Sequence, residues 1–114
     1  MISLTELEAL VFNKLVESDV THLQLLKQQH QCIQKIQIDK SPSGVFFHYD
    51  LTPEGYSLFD EDTQFGDLTL KINGIDMFAG VILFISKGRI NTLEIYSFDG
   101  FWPENIESCE VKLG

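Results

Sequence analysis

The reactive side chains in this chain of 114 residues are few: three histidines, two cysteines, scattered serines and a loop of acids. His22 and His30 stand eight residues apart, whereas two imidazoles share one metal on a helix at a spacing of four. His48 lies in the run GVFFHYDL beside Tyr49 and Asp50, an ordinary surface or half-buried position. Cys32 and Cys109 fit no metal or redox spacing and read as two reduced thiols of a cytosolic protein. No serine sits in a nucleophile elbow, and no glycine-rich phosphate loop occurs. The run DEDTQFGD offers Asp60, Asp62 and Gln64 as calcium ligands. The pattern then fails, because Phe65 stands where that loop needs glycine and Lys71 where it needs a bidentate glutamate. The chain is read as non-catalytic, with no cofactor and no dedicated metal site.

Glu94 is the remaining candidate. Thr92, Glu94 and Tyr96 share one face of a strand and Leu93 and Ile95 the other, because side chains alternate. One reading is a solvated polar face. The other is a partly buried carboxylate held by backbone donors or by a neighbour such as Arg89 or Lys71. Without a second carboxylate at a defined distance it is no hydrolytic site.

These side chains need elements to position them. Ser3 and Glu6 form a capping box, and Leu4, Leu7, Val11 and Leu15 repeat at helical spacing, with Glu8 and Asn13 assigned to other faces. A helix is expected over residues 4–16. Thr21 with Gln24 caps a second, short one carrying Leu23 and Leu26; residues 28–32 are its end or a loop. Ile36 and Ile38 begin a strand, SPSG turns it, and GVFFHYDL returns as a hairpin partner. Residues 52–64 show no period and read as a long loop. FGDLTLKI is a strand with one wet face, NGID a turn, and MFAGVILFIS, apolar on both alternating sets, a central strand covered on both sides. KG is a two-residue hairpin turn before RINTLEIYSF, and residues 109–113 offer a short edge strand. One domain spanning residues 1–114 results: an α+β fold with N-terminal helices on one face of an antiparallel sheet of about five strands. Gly80, Val81, Leu83 and Ile85 should be among its least accessible residues, under Leu7, Val11 and Leu15.

Charge narrows the partners. With 44% hydrophobic residues the chain is too apolar to stay disordered, and its net charge of -9 disfavours nucleic acid and anionic membrane surfaces. A basic protein partner is favoured. The start, MISLTELEAL, lacks the basic region of a signal peptide, and the apolar run over residues 77–85 is too short for a transmembrane helix, so a cytoplasmic protein is expected. No basic residue occurs between Lys40 and Lys71 or between Arg89 and Lys112, stretches that also hold most of the aromatics. Aromatic anchors in an acidic field suit a protein interface. The candidate partner-binding residues are Tyr56, Phe59, Asp60, Glu61 and Asp62 in one stretch and Asp99, Phe101, Trp102 and Glu104 in the other. Pro103 restricts Trp102 to extended backbone, so its ring either anchors a partner or staples the last loop to the sheet, and the staple is the expectation.

GVFF, then FGD, then AGVILFISKGRINTLEIYSFDGFWP resembles the frame of a group of small bacterial proteins, over residues 44–103. Small, acidic, helix-plus-sheet proteins of this kind are similar to the immunity proteins of polymorphic or contact-dependent growth inhibition toxin systems. The resemblance implies a cytosolic protein that binds and neutralises the C-terminal domain of one cognate toxin, often a basic nuclease, by occlusion. It carries over no residue roles. The alternatives are an adaptor module for another basic protein, or a small enzyme or metal-binding protein using Glu94, His48 and the loop from Asp60 to Asp62.

Overall fold

The computed structural model describes residues 1–18, 23–52, 63–65, 68–73, 77–98, 100 and 102–113. Helix α1 (Leu4–Ser18) opens on the capping box, with Ser3 Oγ accepting from the Glu6 amide at 3.1 Å and Glu6 Oε1 from the Ser3 amide at 3.3 Å. Two of the amides left open at the helix start are thereby satisfied. Helix α2 (Leu23–His30) follows. Among the described residues seven antiparallel strands, where about five were expected, then form one sheet: β1 (Ile33–Ser41), β2 (Gly44–Leu51), β3 (Thr63–Phe65), β4 (Leu68–Ile72), β5 (Met77–Ser86), β6 (Arg89–Ser97) and β7 (Cys109–Leu113). Their order is β1-β2-β6-β5-β4-β7, with β3 pairing β5 further along.

The α+β arrangement is as expected, with the helices on one side of the sheet. Two strand boundaries differ from the sequence reading. Thr63 and Gln64, assigned to the long loop, join Phe65 in β3, and the strand expected from Phe65 starts at Leu68. Three residues against Leu83, Phe84 and Ile85 gain strand geometry from a partner, which local periodicity cannot report.

Turn chemistry sets the registers. Lys87 (φ 54°) and Gly88 (φ 78°) both adopt the left-handed conformation, the primed turn that suits strand twist. At Gly44 an added Cβ would run into the Ile95 carbonyl, so glycine lets β2 approach β6 closely. The Gln29 side chain, buried at the end of α2, clamps the β5–β6 turn: its Nε2 donates to the Gly88 carbonyl at 2.9 Å and its Oε1 accepts from the Ile90 amide at 2.8 Å.

Leu7, Val11 and Leu15 pack in one core with Val81, Leu83 and Ile85, as expected, and Gly80 is also buried. The other half of β5 departs from expectation. Phe78 is 37% exposed, and Ile82 and Phe84 are half-exposed. Both helices lie on the other side, so among the described residues no element covers the second apolar set of this strand.

Candidate functional site

Glu94 sits in the middle of that uncovered face. It opposes Phe46 across β2 and Ile82 across β5, and directly opposed residues point the same way. Tyr96, two residues on, opposes Gly44 and Gly80. Neither has a side chain, so the Tyr96 ring lies down over Gly80, where a Cβ would overlap it. Phe98, 56% exposed, meets that ring edge-on at 5.6 Å. The result is an open apolar patch of Phe46, Phe78, Ile82, Tyr96 and Phe98 with one half-buried carboxylate at its centre.

None of the described residues hydrogen-bonds the Glu94 carboxylate. The two cations proposed for it are elsewhere. Arg89 Nη2 donates to the Thr52 carbonyl at 2.6 Å, and Lys71 opposes Glu110 on β7. The arrangement suits an incoming cation: a guanidinium or ammonium could pair with the carboxylate while its carbon stem covers the rings.

His48 lies on the same face. Its Nε2 is 3.0 Å from Asp39 Oδ2 and its Nδ1 is 3.0 Å from Thr92 Oγ1, which lies 2.8 Å from Asn91 Oδ1. An acid, an imidazole and a hydroxyl in line suggest a nucleophile and its base. Thr92, however, is 7% exposed in a strand paired on both sides, at His48 and at Phe84. So closed off, the hydroxyl leaves no room for a substrate carbonyl beside it. The chain of bonds instead ties β1, β2 and β6 together under Phe46, whose ring stacks parallel to that of His48 at 6.1 Å.

The second histidine network is in the core. Glu8, assigned by periodicity to another face of α1, is 2% exposed and lies on the buried side with Val11 and Phe12. Its Oε2 accepts from the Tyr49 hydroxyl at 2.7 Å and lies 2.9 Å from His30 Nε2. The His30 ring stacks on Phe12 at 4.1 Å. Burial, then the neighbouring Glu8, push the Tyr49 phenol well above its ordinary range, so it stays a protonated donor. This cluster joins α1, α2 and β2. The signal for it was Phe12 and Val16, which widen the apolar stripe until Glu8 falls inside it. Cys32 and Cys109 are both free thiols, and burial pushes Cys109 up to about 11, with Glu110 adding to the shift.

Of the partner-binding residues expected from sequence, Tyr56, Phe59, Asp60, Glu61, Asp62, Asp99 and Phe101 lie outside the described residues, as does His22. Trp102 is half-buried, packs against the core and donates its amide to the Pro42 carbonyl at 2.8 Å. With exposed Glu104 it lines a cleft of about 520 Å³ between the β1–β2 turn and Ile2, which pairs with Ile106. That is the contact set of a staple. The described residues next to the two acidic stretches are apart on the sheet: Thr63 opposes Ile85, while Ser97 opposes Ala79. Ala79 and Ile85 are six residue steps apart along extended β5, roughly 20 Å. The patch residues Phe46, Phe78, Ile82 and Phe98 were missed as a group. For Phe78 and Ile82 the signal is the doubly apolar MFAGVILFIS, a pattern that does not say which face is covered.

Among the described residues no group of three potential ligands could hold a metal ion, and no helix is long and apolar enough to cross a membrane. Compared with protein-family models, curated proteins and solved structures, the chain matches none.

Proposed function

We propose that this is a toxin-neutralising immunity protein of the cytoplasm, which holds a basic toxin domain, of the nuclease kind, against the open face of its sheet. The observation that carries the reading is Glu94: a half-buried carboxylate without a partner among the described residues, ringed by uncovered aromatic and aliphatic side chains. A carboxylate in such a setting gains most when a cation from outside pairs with it, because the rings exclude competing water. The charge of -9 supports the same sign of partner by speeding encounter with a basic surface. The patch supplies anchors of the type that carry binding energy. Inhibition then needs no chemistry: an arginine or lysine of the toxin's substrate groove, held on Glu94, is withdrawn from RNA or DNA. Trp102 acts as the staple of the last loop, and the acids of the stretches Asp60 to Asp62 and Asp99 to Glu104 add to the net charge that draws a basic partner.

The test is a titration against the toxin domain encoded beside this protein's gene. Glu94→Gln, which keeps size and removes charge, should raise Kd by at least about tenfold, mainly through faster dissociation. Phe46→Ala should do the same without a change in salt dependence. Wild-type affinity in both variants would refute the assignment of the open face.

A further inference from the structure

Strand β1 forms the outer edge of the sheet, with β2 on one side and no described strand on the other. Which of its backbone groups face outward follows from the register. The Ser97 amide donates to the Ser43 carbonyl at 2.7 Å, so Ser43, Val45 and Phe47 turn their backbone toward β6. Gly44, Phe46 and His48 then turn toward β1, and their partners Ser41, Asp39 and Gln37 toward β2. Ile36, Ile38 and Lys40 are left aiming N–H and C=O groups away from the sheet.

Natural edges of this kind are blunted by bulges, prolines or lysines. Here the one irregularity lies between Ile33 and Lys35, leaving residues 35–41 in unbroken register and without proline. The lysines do not blunt this edge, because the strand IQKIQIDKS is complementary to itself when run antiparallel about Gln37. Lys35 of one copy then faces Asp39 of the other, and Ile36 faces Ile38. The outward-facing residues fall on hydrogen-bonded pairs. Lys35 and Asp39 fall on a non-hydrogen-bonded pair, where side chains approach most closely. Moving the axis to Ile36 would set Gln34 against Ile38 and Ile33 against Asp39. Moving it to Ile38 would set Ile36 against Lys40. Only the axis at Gln37 matches both charge and apolarity. Ile38, 36% exposed, and half-exposed Ile36 lie on the helix side, where a second copy would cover them. Asp39 also lies 3.0 Å from His48 Nε2 within its own chain, and a carboxylate has acceptor sites for both the imidazole and Lys35.

We infer that the chain forms a twofold dimer by pairing β1 with β1 of a second copy about Gln37. The axis of an antiparallel strand pair runs perpendicular to the sheet, so the two open faces lie on the same side of one continuous sheet. Two Glu94 patches are thereby presented together. The inference stands on the edge strand alone and is independent of what the open face binds.

Sedimentation of the full chain over a concentration series tests it. Wild type should reach twice the mass of the 13.0 kDa chain. Lys35→Glu and Asp39→Lys each set like charges together twice per dimer and should each weaken association by about ten- to a hundredfold. An equimolar mixture of the two variants restores opposite charges at both positions and should recover the dimer. Gln37→Glu, at an exposed position, sets two carboxylates face to face on the axis and should also dissociate it. A wild type that stays monomeric at every concentration would overturn the inference. So would single variants that associate like wild type, or a mixture that recovers nothing.

Discussion

Replacing Tyr49 and Glu8 singly and together measures how the buried network holds the helices to the sheet. Tyr49→Phe removes a 2.7 Å bond to a carboxylate that is 2% exposed. A hydrogen bond to a charged group contributes about 1.5–3 kcal/mol, and Glu8 would be left with His30 alone. Glu8→Leu puts an apolar side chain of similar size among Val11 and Phe12 but strands the Tyr49 hydroxyl, at about 1–3 kcal/mol. The double variant strands neither group: Leu packs against Phe, and His30, whose side chain is 27% exposed, can turn to water. It should lie within about 1 kcal/mol of wild type. The coupling is then about 2 kcal/mol or more, and the double variant should melt above at least one single variant, at roughly 4 °C per kcal/mol for a domain of this size. Urea and thermal unfolding of the four proteins give the cycle. Losses that simply add would mean that Glu8 and Tyr49 act independently and that the network is not a unit.

Three further outcomes follow from the packing. Leu83→Ala, at a fully buried position in β5, should cost about 2–5 kcal/mol in urea unfolding. Trp102→Ala should lower the melting temperature while leaving toxin affinity nearly unchanged, since Trp102 packs on the core and bonds the Pro42 carbonyl; the reverse pattern would make it an anchor. Stability should fall on the alkaline side. Both Tyr49 and Cys109 titrate higher in the folded chain than their ordinary values, so the folded state binds more protons and loses stability as pH rises. For Cys109 the window runs from 9.0 to about 11, and for Tyr49 it opens above 10.0. Cys109→Ser should flatten the first part of that loss, measured as unfolding midpoints from pH 8 to 11.

Much of this architecture is legible in local sequence. The capping box of Ser3 and Glu6, the Lys87–Gly88 turn and the alternation of Leu68, Leu70 and Ile72 each report a short-range physical constraint. What local sequence could not report is which of two apolar faces is covered. MFAGVILFIS reads the same whether helices lie on one side or both, because a pattern of residues states that a face is apolar and not what lies against it. Glu8 was misplaced for a related reason: an acid on a helix reads as solvent-facing until a tyrosine and a histidine, 41 and 22 residues away, supply its partners. The candidate site suffered most. Glu94 was visible as a strand glutamate, but its setting is made by Phe46, Ile82 and Tyr96 from three strands. The loop acids drew attention through charge alone.

The most direct measurement is survival of cells that express the cognate toxin domain together with this protein carrying Glu94→Arg. The substitution lies on the uncovered face and should leave the fold intact, which a melting curve of the purified variant checks. An arginine at the centre of the patch would repel the cation that the site is built to receive. The account predicts that protection is lost while stability is kept. Full protection by a folded Glu94→Arg variant would contradict it.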